Sequence, residues 1–433
     1  MTEQRWLRII PVALIMYTIS YVDRTNVSLA LDSGISSMLK DLAMDDRMKG
    51  MAAGVFFLGY VLLQIPGGHL ASHWSAKKFI ALLLVFWGIC AVGCGLVRTY
   101  FEFSVMRFML GVAESGVFPA TLVLLAHWFP RAERARANAF WNLCQPLAVA
   151  ASAPITGWLL GAWGWRTALI LEGALPFVWL PIWLYYVSDH PRDAKWISKE
   201  EKDYLEETLA REASELDTGD KAPVWQAFLL PAVFVMIPIY FLQNCANYGL
   251  MTFLGEGLKG KGMQPQGLQY GLLFAIPYAL AAVLMIMNAH HSDKTHERRG
   301  HVALAYGVSG AALIASVLIR EKSFWASYVC LCFAVPGPFC GLAPFWAIPA
   351  ETMSRRVLGA VMGLVNAIGN LGGYLGPFIV GALKKTTGGV AIPFSVLGGA
   401  LLVAAALCFL LPRTKLRVTQ SAPVPVGSGE TSA

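Results

Sequence analysis

Apolar residues run in twelve long stretches along this chain, at roughly 9–31, 50–72, 78–97, 102–127, 138–160, 166–188, 226–254, 268–289, 301–319, 324–348, 357–382 and 390–411. A helix needs about 20 apolar residues to cross the hydrocarbon core of a bilayer, so each stretch predicts a membrane-spanning helix. Short polar and basic clusters separate them. The stretches are too long for barrel strands, which alternate over about ten residues. The first is no signal peptide: it is too long for an apolar h-region, it contains the charged pair Asp23 and Arg24, and no small-residue cleavage site follows. The pattern predicts an all-α membrane protein embedded in a lipid bilayer.

Composition agrees. Of 433 residues, 56% are hydrophobic and only 14% charged, and the mean hydropathy is +0.55. Soluble domains carry about 25% charged residues. Disorder and collagen-like structure are excluded, and the net charge of +7 does not point to nucleic acid. Its basic residues sit between apolar runs instead. With twelve spans both termini share one face. Of 34 lysines and arginines, 21 fall on that face, 11 on the other and two inside spans. The excess predicts cytoplasmic termini. Eight cysteines all lie within predicted spans and form no C-x-x-C pair, so neither a disulfide nor a metal site is expected, and no cofactor is called for.

The polar stretch 189–223 divides the spans six and six. The organisation expected is a first half over 1–188, a cytoplasmic linker over 189–224, a second half over 225–416 and a disordered tail over 417–433. Leu205 and Leu209, four apart amid charges, suggest a solvated surface helix in the linker. The halves repeat weakly. Ser72 in loop 2–3 matches Asp293 in loop 8–9, and Pro154 in PITGWL matches Pro377 in PFIVGAL, at offsets of 221 and 223 residues. Two six-helix halves related by an axis along the membrane normal describe the major facilitator fold, with the substrate held between them near the midplane.

Ionisable residues within a span are costly and are functional candidates by default. Span 1 reads YTISYVDRTNVSLAL and contains Asp23 and Arg24. These neighbours point about 100° apart and need not pair with each other. Tyr17, Tyr21, Arg24 and Ser28 share one face. In span 4, RFMLGVAESGVFPA, so do Arg107, Gly111, Glu114 and Phe118. Two acids and two bases then lie at similar depths in the first half. They can be a buried network that fixes packing, or they can carry chemistry. Their number, and the lack of an equivalent in the second half, favour chemistry. Glu172 in span 6 is a lone acid better suited to structural hydrogen bonding than to proton transfer. Glu351 reads as a loop anchor.

The second half offers uncharged groups. Span 7 carries Tyr240, Gln243, Asn244, Asn247 and Tyr248; span 11 carries Asn366 and Asn370; span 5 adds Trp141, Asn142 and Gln145. Each buried amide needs a partner and can find it in another helix. As a set they suit a hydroxylated or carboxylated ligand. Tyr270, Phe274 and Tyr278 of span 8 can line a pocket, though helix or lipid contact suits them better. Glycines in AAGVFFLGY and GNLGGYLGP permit close helix approach.

These segments resemble the anion:cation symporters of the major facilitator superfamily. The resemblance rests on YVDRTNVSLA (21–30), RFMLGVAESGVFPA (107–120), WFPRAERARANA (128–139), GWRTALILEG (164–173), YGLMTFL (248–254), SDKTHERR (292–299) and GNLGGYLGP (369–377). It implies a bacterial inner-membrane protein that imports an organic anion with protons. The anion would be a tartrate, glucarate, galactonate or related acid, or an aromatic carboxylate such as hydroxyphenylacetate. It also implies roles: Asp23 and Glu114 as proton sites, Arg24 for the substrate carboxylate, and Arg107 tuning Glu114 or assisting binding. Tyr21, Gln145, Asn244, Tyr248, Asn366 and Asn370 are the further substrate-binding candidates, and Asp293 with Arg298 the gating pair. Ser72 and His73 depart from the acidic and basic residues usual in loop 2–3.

The expected mechanism is alternating access in which an anion at Arg24 loosens that arginine's hold on nearby carboxylates, which then take protons. A small hydroxylated acid is favoured over an aromatic one, and a monomer is expected. The alternative function is a proton-coupled exporter of drugs or metabolites. An intramembrane enzyme is disfavoured because H-E-x-x-H and G-x-S-x-G are missing.

Overall fold

The computed structural model describes residues 4–217, 228–259, 264–353 and 355–412. Among them there is no strand. Twelve spans, α1 to α12, follow the apolar runs. The first, α1, is Gln4–Ala30, long enough at about 1.5 Å per residue to cross a bilayer. Span α2 is broken into Asp46–Tyr60 and Gln64–Leu70, α3 is Ala76–Leu96, and α4 is Tyr100–Ser115 continued by Val117–Trp128. Spans α5 and α6 are built from Arg131–Asn142, Cys144–Gly173 and Leu175–Tyr186. They are parted at Gly164, whose φ of 76° turns the chain back; glycine takes that conformation without steric cost. The second half runs α7 (Pro231–Gly257), α8 (Gly267–Thr295), α9 (Arg299–Ile319), α10 (Phe324–Ala334, Pro336–Cys340 and Leu342–Thr352), α11 (Arg355–Asn370 and Gly372–Thr387) and α12 (Ala391–Cys408). The break in α10 falls at Pro336, where no N–H is available to continue the ladder.

Nine stretches among the described residues meet the length and hydropathy of a span, and one of these, Phe140–Tyr186 at 47 residues, holds both α5 and α6. Spans α2 and α11 fall short as continuous helices because each is interrupted.

Helix pairing repeats between the halves. In the first, α1 packs on α5, α2 on α4 and α3 on α6; in the second, α7 packs on α11, α8 on α10 and α9 on α12. Across the halves, α2 meets α11 and α5 meets α8 in contacts among the most extensive of the molecule. Backbone meets backbone there: a Cβ at Gly54 would strike Tyr374 of α11, and one at Gly271 would strike the Ala153 carbonyl of α5.

Those contacts lie toward the face opposite the termini, here the far face. Ion pairs close it further. Lys259 reaches Asp32 at 2.7 Å, Lys384 reaches Asp46 at 2.8 Å, and Lys385 reaches Asp45 at 2.8 Å. Buried Lys49 lies 3.7 Å from Glu256, and Tyr270 donates to Asp32 at 2.9 Å. Each of these pairs joins one half to the other. The Lys385 ammonium and the Met48 N–H hold the Asp45 carboxyl below the usual carboxylate range. On the terminus face the described ion pairs stay on one side instead. Arg5 binds Glu133 and the linker residue Glu201, and Arg298 binds Asp293 and Glu351.

The linker helix, Lys199–Asp217, is docked rather than solvated. Leu205 is buried, Glu201 is paired with Arg5, and Trp196 stacks on Trp128 with centroids 5.0 Å apart. The expected tail, 417–433, lies outside the described residues.

Candidate functional site

A cavity opens between the halves. Helical spacing explains its walls. Tyr17, Tyr21 and Arg24 come from one face of α1, Tyr60 from the end of the first segment of α2, Phe118 from α4 and Gln145 from α5. On the other side stand Tyr240, Gln243, Asn244, Asn247 and Tyr248 of α7, Leu342 of α10, and Asn366 and Asn370 of α11. The cavity thus meets all the predicted aromatic and amide candidates for substrate contact: Tyr21, Gln145, Asn244, Tyr248, Asn366 and Asn370.

Arg24 is the charged member of this lining. Its Nη2 donates to Glu114 Oε2 at 3.0 Å, while Nε and Nη1 have no hydrogen-bond partner among the described residues. Its guanidinium lies over the rings of Tyr21, Phe56 and Tyr60, at 4.5, 5.1 and 5.3 Å from their centroids. Such contacts hold a cation in place without using its N–H groups. Glu114 sits behind Arg24, fully enclosed, and accepts a second bond from Ser20 Oγ at 2.5 Å. Its other oxygen, Oε1, is unpartnered.

Asp23 points away from Arg24, as expected for adjacent helical residues. The Trp87 indole N–H donates to its Oδ2, and Asn26 Nδ2 lies 3.4 Å from its Oδ1. Asp23 is buried, with no ion pair among the described residues; of the four charges, Arg24 and Glu114 make the direct pair. Arg107 does not line the cavity. Its guanidinium lies 4.8 Å from the centroid of Phe56, with Nε and Nη1 unpartnered among the described residues, and it interacts electrostatically with Glu114 and Asp23. The Phe56 ring serves both arginines. This places Arg107 beside the two carboxylates.

The amides of the second half are partly committed to the fold. Asn244 donates to the Gly369 carbonyl at 3.1 Å and Gln243 lies 3.4 Å from the Pro338 carbonyl. Asn366 accepts from Tyr240 OH at 3.3 Å and donates to Gln64 Oε1 at 2.6 Å, a bond that crosses from α11 to α2. Gln145 donates to Asn142. Glycine lets α11 come this close to α7: a Cβ at Gly376 would collide with the Cys245 carbonyl.

Other candidates lie elsewhere. Asp293 and Arg298 are 2.5 Å apart on the terminus face, and Arg298 also binds Glu351 at 2.7 Å. All three belong to the second half, and Glu351 is the anchor its position suggested. In the first half Ser72 donates to the His69 carbonyl. Asp189, from the end of α6, accepts from Ser75 Oγ and the Lys77 N–H at 2.5 and 2.9 Å. An acid from a distant segment thus holds loop 2–3, where the local sequence lacks one. Glu172 accepts from Thr156 Oγ1 at 2.7 Å. Tyr270, Phe274 and Tyr278 form a stacked ladder outside the cavity. Trp87, Ser20 and Gln64 were not legible as site residues, since a tryptophan, a serine and a glutamine in apolar runs give no spacing signal.

The model of the Major Facilitator Superfamily matches residues 13–377. The chain belongs to that superfamily. It is 31% identical over 418 residues, 94% of each chain, to a protein of Agrobacterium vitis described as a candidate tartrate transporter. It is also 31% identical over 399 residues, 89% of this chain and 88% of the other, to a quinolone resistance transporter of Acinetobacter baumannii. The fold matches a bacterial homolog of the human lysosomal transporter Spinster, solved inward-facing and unoccupied, with a TM-score of 0.73 at 18% identity over 94% of this chain and 96% of that one. As a member of this superfamily the chain is a multi-pass membrane transporter, not an enzyme.

Proposed function

We propose that this protein is a monomeric, proton-coupled importer of a small hydroxylated organic acid in a bacterial inner membrane. The observation that carries this reading is Arg24: a buried guanidinium at the cavity wall that pairs with the Glu114 carboxylate and keeps Nε and Nη1 without a hydrogen-bond partner among the described residues. The basic excess on the terminus face supports a cytoplasmic placement of that face. Residues 1–188 and 225–416 would then move as two bodies about the cavity, with 189–224 joining them. The closed far face fits an inward-facing state.

The steps follow from charge. A substrate carboxylate takes the unpartnered N–H groups of Arg24. The guanidinium then divides its attraction between two carboxylates, and Glu114 becomes easier to protonate. Asp23, buried beside Arg107 and with no ion pair among the described residues, is the second proton site. Arg107 balances the charge of both acids. With Glu114 neutral and the anion on Arg24, the charge at the cavity wall is cancelled and the halves can rock. The gating roles of Asp293 and Arg298 reduce to stiffening the terminus end of the second half.

Uptake into proteoliposomes under an inward proton gradient tests this reading. The expected result is accumulation of one organic acid, abolished by a protonophore. Dissipating the gradient without effect on accumulation would contradict it. The likeness to a quinolone resistance transporter favours a second reading, proton-driven export. That reading requires protonophore-sensitive extrusion of a quinolone from inside-loaded cells.

A further inference from the structure

We infer that the cavity is built for a monocarboxylate and discriminates against dicarboxylates, an inference that rests on the anion-import reading above. The lining offers one cation and no acid: Arg24 stands among tyrosines and neutral amides. The neighbouring guanidinium, Arg107, lies at Phe56 and outside the lining. On the far face Lys259, Lys384 and Lys385 are held in pairs with Asp32, Asp45, Asp46 and Glu256.

A first carboxylate is matched by Arg24. A second, at the other end of a short acid, would lie against phenol rings and amides that already bond Gly369, Pro338 and Gln64. An ionised carboxylate removed from water without a cation is costly. Charge counting agrees. Within the lining, Arg24 and one carboxylate cancel, whereas the second carboxylate of a dianion meets no cation there. Hydroxyls meet no such penalty, because amides and phenols both donate and accept. The chain would therefore differ in substrate charge from a carrier of tartrate, which has two carboxylates.

The test is acid-driven uptake by the wild-type protein in proteoliposomes with matched pairs: threonate against tartrate, gluconate against glucarate, and benzoate against phthalate. Each pair keeps the carbon skeleton of the chain or ring and differs in the second carboxyl. External pH is set where both carboxyls are ionised. In any pair that is transported, the monoacid should have at least a tenfold lower half-saturating concentration. Equal or better uptake of the diacid overturns this inference and leaves the import reading standing. No gradient-driven uptake of any acid overturns both. A second arm uses Asn247→Arg, which adds a cation on the side of the cavity across from Arg24. The ratio should move toward the diacid in that variant; a variant that retains monoacid uptake with an unmoved ratio would also count against the inference.

Discussion

The two halves repeat one another in helix pairing and differ sharply in chemistry. The first half buries Asp23, Arg24, Arg107, Glu114 and Glu172 within its spans. The second presents to the same cavity only phenols, amides and an apolar side chain. One architecture has thus been divided into a half that handles charge and a half that handles hydrogen bonds. The division has a physical reason. Buried charges stay affordable when they neutralise each other at short range, as Arg24 and Glu114 do at 3.0 Å. Splitting them across a moving interface would separate them in every cycle. Neutral amides can lose and regain partners at the interface with much smaller penalties.

That contrast sets the expected size of perturbations. Arg24→Ala should have the largest effect, lowering apparent substrate affinity by about a hundredfold or more, because it removes the cation and leaves Glu114 unpaired. Substrate binding measured by calorimetry checks this. Asp32→Asn, on the far face, should come next. It breaks the pair with Lys259, and spin labels at Lys40→Cys and Thr387→Cys should report roughly a tenfold gain of separated over closed far-face distances, the scale of one charged hydrogen bond. Asn370→Ala in the second half should cost about three- to tenfold in apparent affinity and leave the proton dependence of uptake unchanged. A changed proton dependence would blur the division between the halves. Ser72→Asp should be smallest, within about twofold in uptake rate, because Asp189 already holds that loop and an exposed ion pair adds little.

Much of the fold was legible because a bilayer leaves few choices. Run length set the spans, and the offset between Ser72 and Asp293 exposed the repeat. Helical spacing placed Tyr17, Tyr21 and Arg24 on one wall correctly, and it kept Asp23 apart from Arg24. The breaks in α2, α4 and α11 were not legible, since glycine within an apolar run also occurs in continuous helices. Whether Arg107 reaches the cavity, as a residue expected to tune Glu114 or assist binding, was not legible, because spacing fixes a face of α4 but not the Phe56 ring against which its guanidinium lies. The linker looked solvated because its docking depends on Arg5, nearly two hundred residues away in sequence (|i−j| = 196).

The direct test of charge coupling in the first half is Glu114→Gln in proteoliposomes, assayed in two modes with the same substrate. Accumulation driven by an inward proton gradient should fall to background. Counterflow exchange at equal pH, which needs binding and rocking but no net proton movement, should persist. Acid-driven accumulation at the wild-type level in this variant would contradict the role assigned to Glu114, and with it the division of labour between the two halves.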